Sequence, residues 1–284
     1  MPEGPEVESV RRELLSVVSI RVKHIRLTPL SQKYPKYLDQ QVFFDSFDGC
    51  ILNSVLRFGK FLVWRFEGTE QVILNHLGMS GKWCFCEDLI DLRSDITHPK
   101  VIIQMEKPPH VIFDDTRNFG QFKIYQTYDS VLNYRPIKSL GIDGLELPFP
   151  LEEFIERLTH KRYQDKVIGE LLLNQRLVAG VGNIYKAESL HLAGIHPLRK
   201  VNSLTKTDIE RLGNAISDIL QKALKDLGSS IDTRYVLPSG TTGNAQLWHK
   251  VYQRKGKSCM KCGSEIEKII QKDRSTFFCP SCQK

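Results

Sequence analysis

Four of the seven cysteines stand in two pairs, CMKC and CPSC, with sixteen residues between the pairs. Each pair holds two thiolates on one tight turn, and the segment IEKIIQKDRSTFF between them is typical of a β-hairpin that closes a tetrahedral metal site. Four thiolates leave no open coordination position, so the spacing predicts one structural zinc ion. Its predicted ligands are Cys259, Cys262, Cys279 and Cys282.

The start of the sequence, MPEGPEV, carries a second arrangement with reactive potential. An initiator methionine before a small residue is usually removed, which would leave Pro2 as a free secondary amine beside the carboxylate of Glu3. An α-amine titrates near ~8, so part of it is neutral and nucleophilic at neutral pH. Pro2 is therefore either an accident of chain initiation or a reactive group. Pro5 suits the first turn of a helix, and apolar residues then follow at spacings of three and four, which predicts a helix with one buried face.

The segment AGVGNIY lies between two helical patterns. Gly180 and Gly182 can aim successive backbone N–H groups at a phosphate, and Asn183 adds a side-chain donor or an N-cap. A tight corner between two helices explains the same residues equally well, and the segment alone does not distinguish the two interpretations.

The composition is that of a soluble globular protein: 284 residues, of which 41% are hydrophobic and 26% are charged. The net charge of +7 favours a polyanionic partner, and the stretch 249–284 has nine Lys or Arg against three acidic residues. A solvated basic surface is the competing explanation of that charge. No apolar run is long enough for a bilayer and no signal pattern is present, so we expect a cytoplasmic protein without a disulfide framework.

The hydrophobic periodicity changes halfway along the chain. Short apolar or alternating runs, typical of the strands of a sandwich or barrel, extend from Ile20 to about Thr127 as IRVKHIRL, QVFFDSF, GKFLVWRF, QVILNHL, KVIIQM, HVIFDD and QFKIYQ. From Leu151 the period becomes helical, in LEEFIERL, DKVIGELLL, NIYKAESLHLAG and a long helix with Gly228 as its stop. We therefore predict an α+β multidomain protein. Its predicted parts are an N-terminal domain at 1–140, a Gly/Pro-rich linker at 141–150, a helical domain with a following loop at 151–246, and a zinc hairpin at 247–284.

The motifs of this sequence, in their order along the chain, resemble those of the formamidopyrimidine-DNA glycosylases and, more broadly, of their superfamily with endonuclease VIII. The resemblance covers nearly the whole chain. It is carried by MPEGPEVESVRREL, RFGK, HLGMSG, DTRNFG, LLLNQRLVAGVGNIYKAESL, VYQRKGKSC and the terminal cysteine pairs with DRST.

The resemblance implies a base-excision repair enzyme that flips an oxidised purine out of duplex DNA, cleaves its glycosidic bond and nicks the strand by β,δ-elimination. It also implies a fold: an N-terminal β-sandwich, a helix-two-turn-helix module and a C-terminal zinc finger, with the DNA in the cleft between. The expected partner is double-stranded DNA that contains oxidised bases or abasic sites. The expected enzyme is a monomer that acts in the cytoplasm, at the nucleoid if it is bacterial.

The matched motifs imply roles for single residues. By resemblance, the Pro2 nitrogen is the nucleophile, Glu3 shuttles protons, and Lys60 is a general acid or a phosphate contact. Arg274 is a phosphate clamp beside the lesion and is counted among the catalytic groups. The remaining matched positions are DNA contacts: Met79, Arg117 and Phe119, which fill the space that the flipped base leaves; Asn183, which clamps the same strand as Arg274; and Lys100, which stands where a DNA-contacting histidine is common.

Several positions depart from the family pattern. Gly4 stands where most members have leucine, Asp273 replaces a glycine before the arginine, and Gly169 stands where some members have a lysine implicated in lesion binding. The loop up to 243–246, which covers the flipped base in the family, lacks the aromatic residues usual there. Two alternatives therefore stay open. One is an endonuclease VIII-like preference for oxidised pyrimidines, against which HLGMSG and DTRNFG weigh, and the other is a non-catalytic damaged-DNA-binding protein of the same fold.

Overall fold

The computed structural model describes residues 1–31, 33–34, 44–231 and 235–284. These residues form two compact units. The first consists of Met1–Pro2, Glu6–Lys138 and Leu227–Asn244, and the second of Glu3–Pro5, Ser139–Asp226 and Ala245–Lys284. None of the helices in the described part of the chain is long and apolar enough to cross a membrane.

The first unit is a sandwich of two antiparallel sheets. Its described strands are β1 (Val22–Leu27), β2 (Ile51–Phe58), β3 (Phe61–Glu67), β4 (Val72–His76), β5 (Gly81–Cys86), β6 (Pro99–Met105), β7 (His110–Asp115) and β8 (Gln121–Tyr125). One sheet has the order β1-β6-β7-β5 and the other the order β2-β3-β4-β8. Trp64 of one sheet and Trp83 of the other are fully buried with ring centroids 4.7 Å apart, so the two sheets share a core. The predicted N-terminal sandwich is confirmed.

Helix α1 (Gly4–Leu14) packs on this core, followed by a 3₁₀ turn at Leu15–Val17. Val7, Val10 and Leu14, which recur at the predicted spacing of three and four, are each at most 1% exposed and belong to the sandwich core. Burial of each such side chain contributes roughly 1.5–3 kcal/mol, which fixes the helix against the sheets. The first residues of the chain are thereby held in place.

The prediction of a strand at QVFFDSF is wrong for the residues of this segment that the structure describes. Phe44–Phe47 forms a 3₁₀ helix, and residues 41–43 lie outside the described residues. Phe44 and Phe47 are three positions apart, the period of a 3₁₀ helix, and both are buried by that geometry. Strands β2 and β5 and the short helices α2 (Tyr128–Leu132) and α3 (Arg135–Lys138) had not been predicted.

The second unit is mainly helical. Its described helices are α4 (Leu151–Thr159), α5 (Ile168–Leu171), α6 (Asn183–Ala193) and α7 (Lys206–Lys225), and it also contains a two-stranded parallel pair, β9 (Ile142–Asp143) with β10 (Val178–Ala179). Helix α5 is shorter than the predicted DKVIGELLL helix, because Gly169 in its middle costs about 1 kcal/mol of helix propensity. A capping box between Thr205 and Asp208 starts α7. Beyond its end the backbone is left-handed at Leu227 and at Gly228, the predicted stop.

The chain ends in the predicted hairpin, which belongs to the second unit. Its strands are β11 (Glu267–Gln271) and β12 (Arg274–Phe278), which pair in antiparallel register with Gln271 opposite Arg274. Residues 272 and 273 form the turn between them, so Arg274 is the first residue after the turn and lies exposed at the tip.

Candidate catalytic site and metal centre

The carboxylate of Glu3 lies at the N-terminus of α6. Its Oε2 accepts hydrogen bonds from the backbone N–H groups of Gly182 at 2.8 Å and Tyr185 at 3.3 Å, and its Oε1 accepts from Ile184 at 2.9 Å. The side chain is 3% exposed. A helix N-terminus stabilises negative charge, so this arrangement fixes both carboxylate oxygens. Of the two N–H groups predicted to face a phosphate, that of Gly182 therefore binds a carboxylate of the same chain, and that of Gly180 donates to Gln175 Oε1 at 3.0 Å.

Glycines make this close approach of the N-terminal segment possible. The Gly4 N–H donates to the Gly180 carbonyl oxygen at 2.8 Å, and a Cβ on Gly4 would lie 3.0 Å from the Gly180 Cα. Gly180 has a φ of +93°, which only glycine adopts readily, and a Cβ on Gly182 would overlap the Glu3 side chain. Glycine in place of the family's leucine at residue 4 therefore matches the local packing.

The start of the chain meets two predicted DNA contacts in the first unit. Pro2 is buried, and Met1 before it is 43% exposed. A cleft of about 320 Å³ is lined by Met1, Met79 and Arg117, among others. The structure therefore brings the proposed nucleophilic end of the chain and two of the three proposed space-filling residues to one cleft.

Met79 and Phe119 stand on two adjoining turns. Met79 is 43% exposed and Phe119 is 53% exposed, and the Arg117 guanidinium carbon lies 5.0 Å from the centroid of the Phe119 ring. The turns contact each other directly, because a Cβ on Gly78 would lie 2.5 Å from the Phe119 carbonyl carbon. Both large apolar side chains are thus exposed at turn tips, as expected for residues that insert into DNA.

Asp115, fully buried, ties these two turns together. Its Oδ1 accepts from the Ser80 hydroxyl at 2.7 Å, next to Met79, and its Oδ2 accepts from the Gly120 N–H at 2.7 Å, next to Phe119. The Ser80 oxygen in turn accepts from the Arg117 N–H at 3.0 Å. One carboxylate therefore sets the spacing of all three proposed space-filling residues.

Lys60 and Lys100 are both buried. Lys60, in the turn between β2 and β3, is 6% exposed, which disfavours the interpretation of it as an ordinary surface lysine. Burial, together with the Lys60 charge, lowers the pKa of nearby His76 from 6.5 to about 4, so His76 is neutral at neutral pH. Lys100 is 2% exposed, and its Nζ lies 5.0 Å from the centroid of the Tyr34 ring. The DNA contact expected of Lys100 stays a prediction.

The two proposed phosphate clamps meet at the hairpin of the second unit. The Asn183 Nδ2, at the start of α6, donates to the Ser275 carbonyl oxygen at 2.7 Å, directly after exposed Arg274. Asp273 before it has a φ of +59°, a conformation in which glycine is favoured but aspartate is tolerated. The replacement of the family's glycine by Asp273 therefore leaves the turn intact.

The position of the family's lesion-binding lysine is filled by another side chain. A Cβ on Gly169 would lie 2.5 Å from Gln271 Oε1 and 2.7 Å from the Pro197 carbonyl oxygen. The Gln271 side chain is 1% exposed and donates to Pro197 through Nε2 at 3.0 Å. A larger residue at 169 would have to displace Gln271. The glycine at 169, where some relatives have lysine, therefore goes together with the buried Gln271 side chain on the hairpin.

The four terminal cysteines form one cluster. The Sγ atoms of Cys259 and Cys282 are 3.9 Å apart, those of Cys262 and Cys279 are 3.4 Å apart, and all four lie within 4.8 Å of one another. Tetrahedral zinc with Zn–S bonds of about 2.3 Å requires sulfur separations of about 3.8 Å, so these thiols fit the ion. A disulfide would need about 2.05 Å, and all four cysteines are free. The predicted site for one structural zinc ion is confirmed.

Two residues of these arrangements were missed by sequence reasoning. Lys186 is fully buried beside Asn183, and its position three residues further along the same helix could have indicated that the two side chains lie on one face. Asp115 begins the DTRNFG motif, but no local pattern distinguishes a buried aspartate that binds two turns from an ordinary aspartate at the end of a strand.

Comparison with known proteins agrees with this organisation. Family profiles match in chain order: the formamidopyrimidine-DNA glycosylase N-terminal domain at residues 1–122, the formamidopyrimidine-DNA glycosylase H2TH domain at 140–235, and a zinc finger found in FPG and IleRS at 256–284. The fold and the four-cysteine site thus define an H2TH protein with a zinc finger.

Single relatives match over the full length. Formamidopyrimidine-DNA glycosylase of Lactococcus lactis subsp. lactis is 36% identical over 286 residues, covering 100% of both sequences. The solved complex of Lactococcus lactis Fpg with abasic-site DNA has a TM-score of 0.86 at 35% identity and covers 99% of both chains. A mutant of that protein in complex with Fapy-dG-containing DNA has a TM-score of 0.87 at 36% identity, with 100% of both chains covered. The chain belongs to the formamidopyrimidine-DNA glycosylase family.

Proposed function

We propose that this protein is a bifunctional DNA glycosylase and abasic-site lyase of base-excision repair, which removes 8-oxoguanine and formamidopyrimidines from duplex DNA. The proposal rests mainly on Glu3, the residue that follows Pro2. Its carboxylate accepts hydrogen bonds from three backbone N–H groups of the second unit. A relative captured with Fapy-dG-containing DNA supports the substrate class. We infer that the enzyme acts where the DNA is, in the cytoplasm.

In this proposal the Pro2 nitrogen, freed by removal of Met1, attacks C1′ of the damaged nucleotide. The N–C1′ bond forms as the glycosidic bond breaks, and the base leaves with a proton. Opening of the sugar gives an iminium ion, which is cationic because proline is a secondary amine. The iminium withdraws electrons from C2′, whose proton is then lost as the 3′ phosphate departs, and a second elimination releases the 5′ phosphate.

Glu3 moves the protons in this sequence. Its two oxygens are fixed by the backbone of α6, so the carboxylate keeps one orientation through each step. Lys60 acts as a general acid or binds a phosphate. Arg274 and Asn183 bind the backbone of the damaged strand from the hairpin and from α6, and such contacts position the DNA without reading its sequence.

Flipping of the damaged base costs a few kcal/mol, and the vacated stack has to be filled. Met79 and Phe119 are exposed at adjoining turns and can insert there. Arg117 lies beside Phe119 and carries the guanidinium that would read the orphaned base through hydrogen bonds. Lys100, which is 2% exposed, would contact the DNA with its positive charge as in the family pattern.

The functional division that we propose keeps the sandwich at 1–140, the linker at 141–150, the helix-two-turn-helix part with its loop at 151–246, and the zinc finger at 247–284. The zinc ion would be held by the four cysteines and would supply structure rather than chemistry, because four thiolates saturate it. We further propose that the protein acts as a monomer.

A preference for oxidised pyrimidines is the second candidate, and two departures from the family pattern favour it. Gln271 fills the space beside Gly169 where some relatives have a lesion-binding lysine, so lesion contacts there differ from the family pattern. The loop at 243–246 adds to this difference, since its Gly243 N–H is bound to the Ser230 hydroxyl at 2.8 Å and it carries no aromatic residue.

The proposal is tested with four labelled duplexes that contain 8-oxoguanine opposite cytosine, a formamidopyrimidine, dihydrouracil or no lesion. Base release and strand cleavage are measured separately for each. We expect both activities, in the order purine lesion over pyrimidine lesion over intact duplex. The reverse order would establish the pyrimidine alternative, and tight binding without base release from any duplex would establish a non-catalytic protein.

A further inference from the structure

Lys186 is a fully buried cation in the second unit, and its ammonium donates to two side chains. From α6 its Nζ donates to the Asn183 Oδ1 at 2.9 Å and to the Thr276 hydroxyl of β12 at 2.6 Å. Lys186 and Thr276 are both 0% exposed. Burial of an ammonium costs free energy unless the group is hydrogen-bonded. The two bonds of Lys186 therefore hold α6 and the zinc hairpin in a fixed position relative to each other.

The ammonium also dictates which way the Asn183 amide points. An ammonium only donates hydrogen bonds, and a backbone carbonyl only accepts them. Asn183 lies between the Lys186 ammonium and the Ser275 carbonyl, to which its Nδ2 donates at 2.7 Å. Only one of the two amide orientations satisfies both neighbours. It directs Oδ1 to Lys186 and Nδ2 to the carbonyl of Ser275, the residue after Arg274.

Charged groups from three other segments face Lys186. Burial and the charge of Arg274 on β12 together lower its pKa from 10.5 to about 8, against the opposing charges of Glu3 in the N-terminal segment and Glu170 on α5. The lysine is therefore still mainly protonated at neutral pH and acts as a donor there.

We propose that Lys186 is a positioning residue for DNA binding, which locks the Asn183 amide and the hairpin so that Asn183 and Arg274 grip the same stretch of phosphate backbone. This inference rests on the proposed function, in which those two residues are the phosphate clamps. Lys186 itself contacts no DNA. It acts through the orientation of Asn183 and through Thr276, which stands two residues after Arg274 on the hairpin.

Two neutral substitutions separate the hydrogen bond from the charge. Lys186→Met removes both charge and donors, whereas Lys186→Gln removes the charge and keeps an N–H donor. Lys222→Met, at an exposed lysine on α7, controls for the loss of one positive charge. Affinity for a duplex with an abasic-site analogue is measured over a range of salt concentrations. Circular dichroism and zinc content establish that each variant is folded.

We expect Lys186→Met to weaken binding roughly tenfold and to flatten the salt dependence by about one phosphate contact. Lys186→Gln should retain most of the affinity, and Lys222→Met should change it less than threefold or so. In an Asn183→Ala background, Lys186→Met should add less than about twofold, because its effect passes through the same amide.

Three results would overturn the inference. They are equal losses for the Met and Gln variants, losses that multiply in the double variant, and a Lys186→Met protein that binds like Lys222→Met. If Lys186→Met does not fold, the folded Lys186→Gln variant still tests the inference, because a roughly tenfold loss of affinity in a variant that keeps an N–H donor would contradict it. Wild-type protein that neither binds nor cuts the lesion duplex would instead contradict the proposed function, which separates the two failures.

Discussion

The Oε2 of Glu3 accepts a hydrogen bond from the N–H of Gly182 at 2.8 Å, although the two residues are 179 positions apart in the sequence. A carboxylate at the second position after the initiator is thereby fixed to the first turn of α6. The glycine turn of AGVGNIY serves to hold this side chain, and the Pro2 nitrogen precedes it by one residue. The geometry of the proposed site is thus built by the pairing of the start of the chain with a distant helix.

Glu3→Gln tests the proton shuttle. The substitution keeps the size but replaces one oxygen by an NH₂ group that faces a backbone N–H, so we expect a stability loss of about 1–3 kcal/mol. DNA affinity should change little, while base release should fall at least ~100-fold, the lower end of general acid–base contributions. Single-turnover base release and equilibrium binding measure the two effects. Glu156→Gln, on the exposed side of α4, is the matched control. Base release near the wild-type rate would exclude Glu3 from the chemistry.

Asp115→Asn tests the hydrogen bonds by which Asp115 connects the turn that carries Met79 to the turn that carries Phe119. The amide cannot accept from both Ser80 and Gly120 in the way the carboxylate does, so one buried group loses its partner. We expect a loss of about 1–3 kcal/mol in the free energy of unfolding, together with slower excision. Urea denaturation and an excision assay provide the measurements, with exposed Asp91→Asn as the control. Excision at the wild-type rate in a destabilised variant would show that the turns do not need this tie.

Zinc removal should disrupt the hairpin and with it DNA binding. We expect one zinc per chain by plasma emission, and less than one for Cys279→Ser, which removes a ligand. Cys50→Ser controls for loss of a buried thiol, since Cys50 lies in the first unit outside the cluster. Metal-free wild-type protein that still bound lesion DNA tightly would refute the structural role.

The ion pairs of Glu8 should contribute stability that is lost in acid. Burial raises the pKa of this carboxyl, but hydrogen bonds and charge from Arg11 and Arg57 outweigh burial and lower it from 4.5 to about 2. Because the folded-state pKa lies below the unfolded-state value, the stabilisation is present above about pH 4.5 and is lost as pH falls towards 2. Its full size is about 3 kcal/mol.

The comparison of wild type with Glu8→Gln isolates this component. The free energy of unfolding is measured by urea denaturation at several pH values from neutral to about 2.5. The wild-type advantage should shrink over the acidic part of that range. A difference that does not vary with pH would mean that the ion pairs of Glu8 contribute nothing that titrates.

The sequence predicted those features whose causes are local. The cysteine pairs predict the zinc site, because the spacing within each pair is set by one tight turn. The apolar residues of α1 predict its buried face, because the period of an α-helix is fixed. The switch from strands to helices near residue 150 followed from the same periodicity.

The remaining features depend on residues far apart in the sequence. Phe44–Phe47 has an apolar pattern short enough for either a strand or a 3₁₀ turn, and packing of both phenylalanines selected the turn. The partners of Glu3 and the bond between Lys186 and Thr276, 90 residues apart, exist only in the fold. No spacing rule in one sequence connects such positions, so the site residues could be named by resemblance but their arrangement could not be derived.

Trapping of the iminium ion tests whether the Pro2 nitrogen is the nucleophile. The protein is incubated with a duplex that bears 8-oxoguanine in the presence of sodium borohydride, which reduces the C=N⁺ bond to a stable amine. We predict a covalent protein–DNA adduct, absent without the lesion, which tandem mass spectrometry places on the nitrogen of Pro2 in protein that has lost Met1. An adduct on Lys60 or any other lysine, or no adduct from protein whose Pro2 is free, would contradict it.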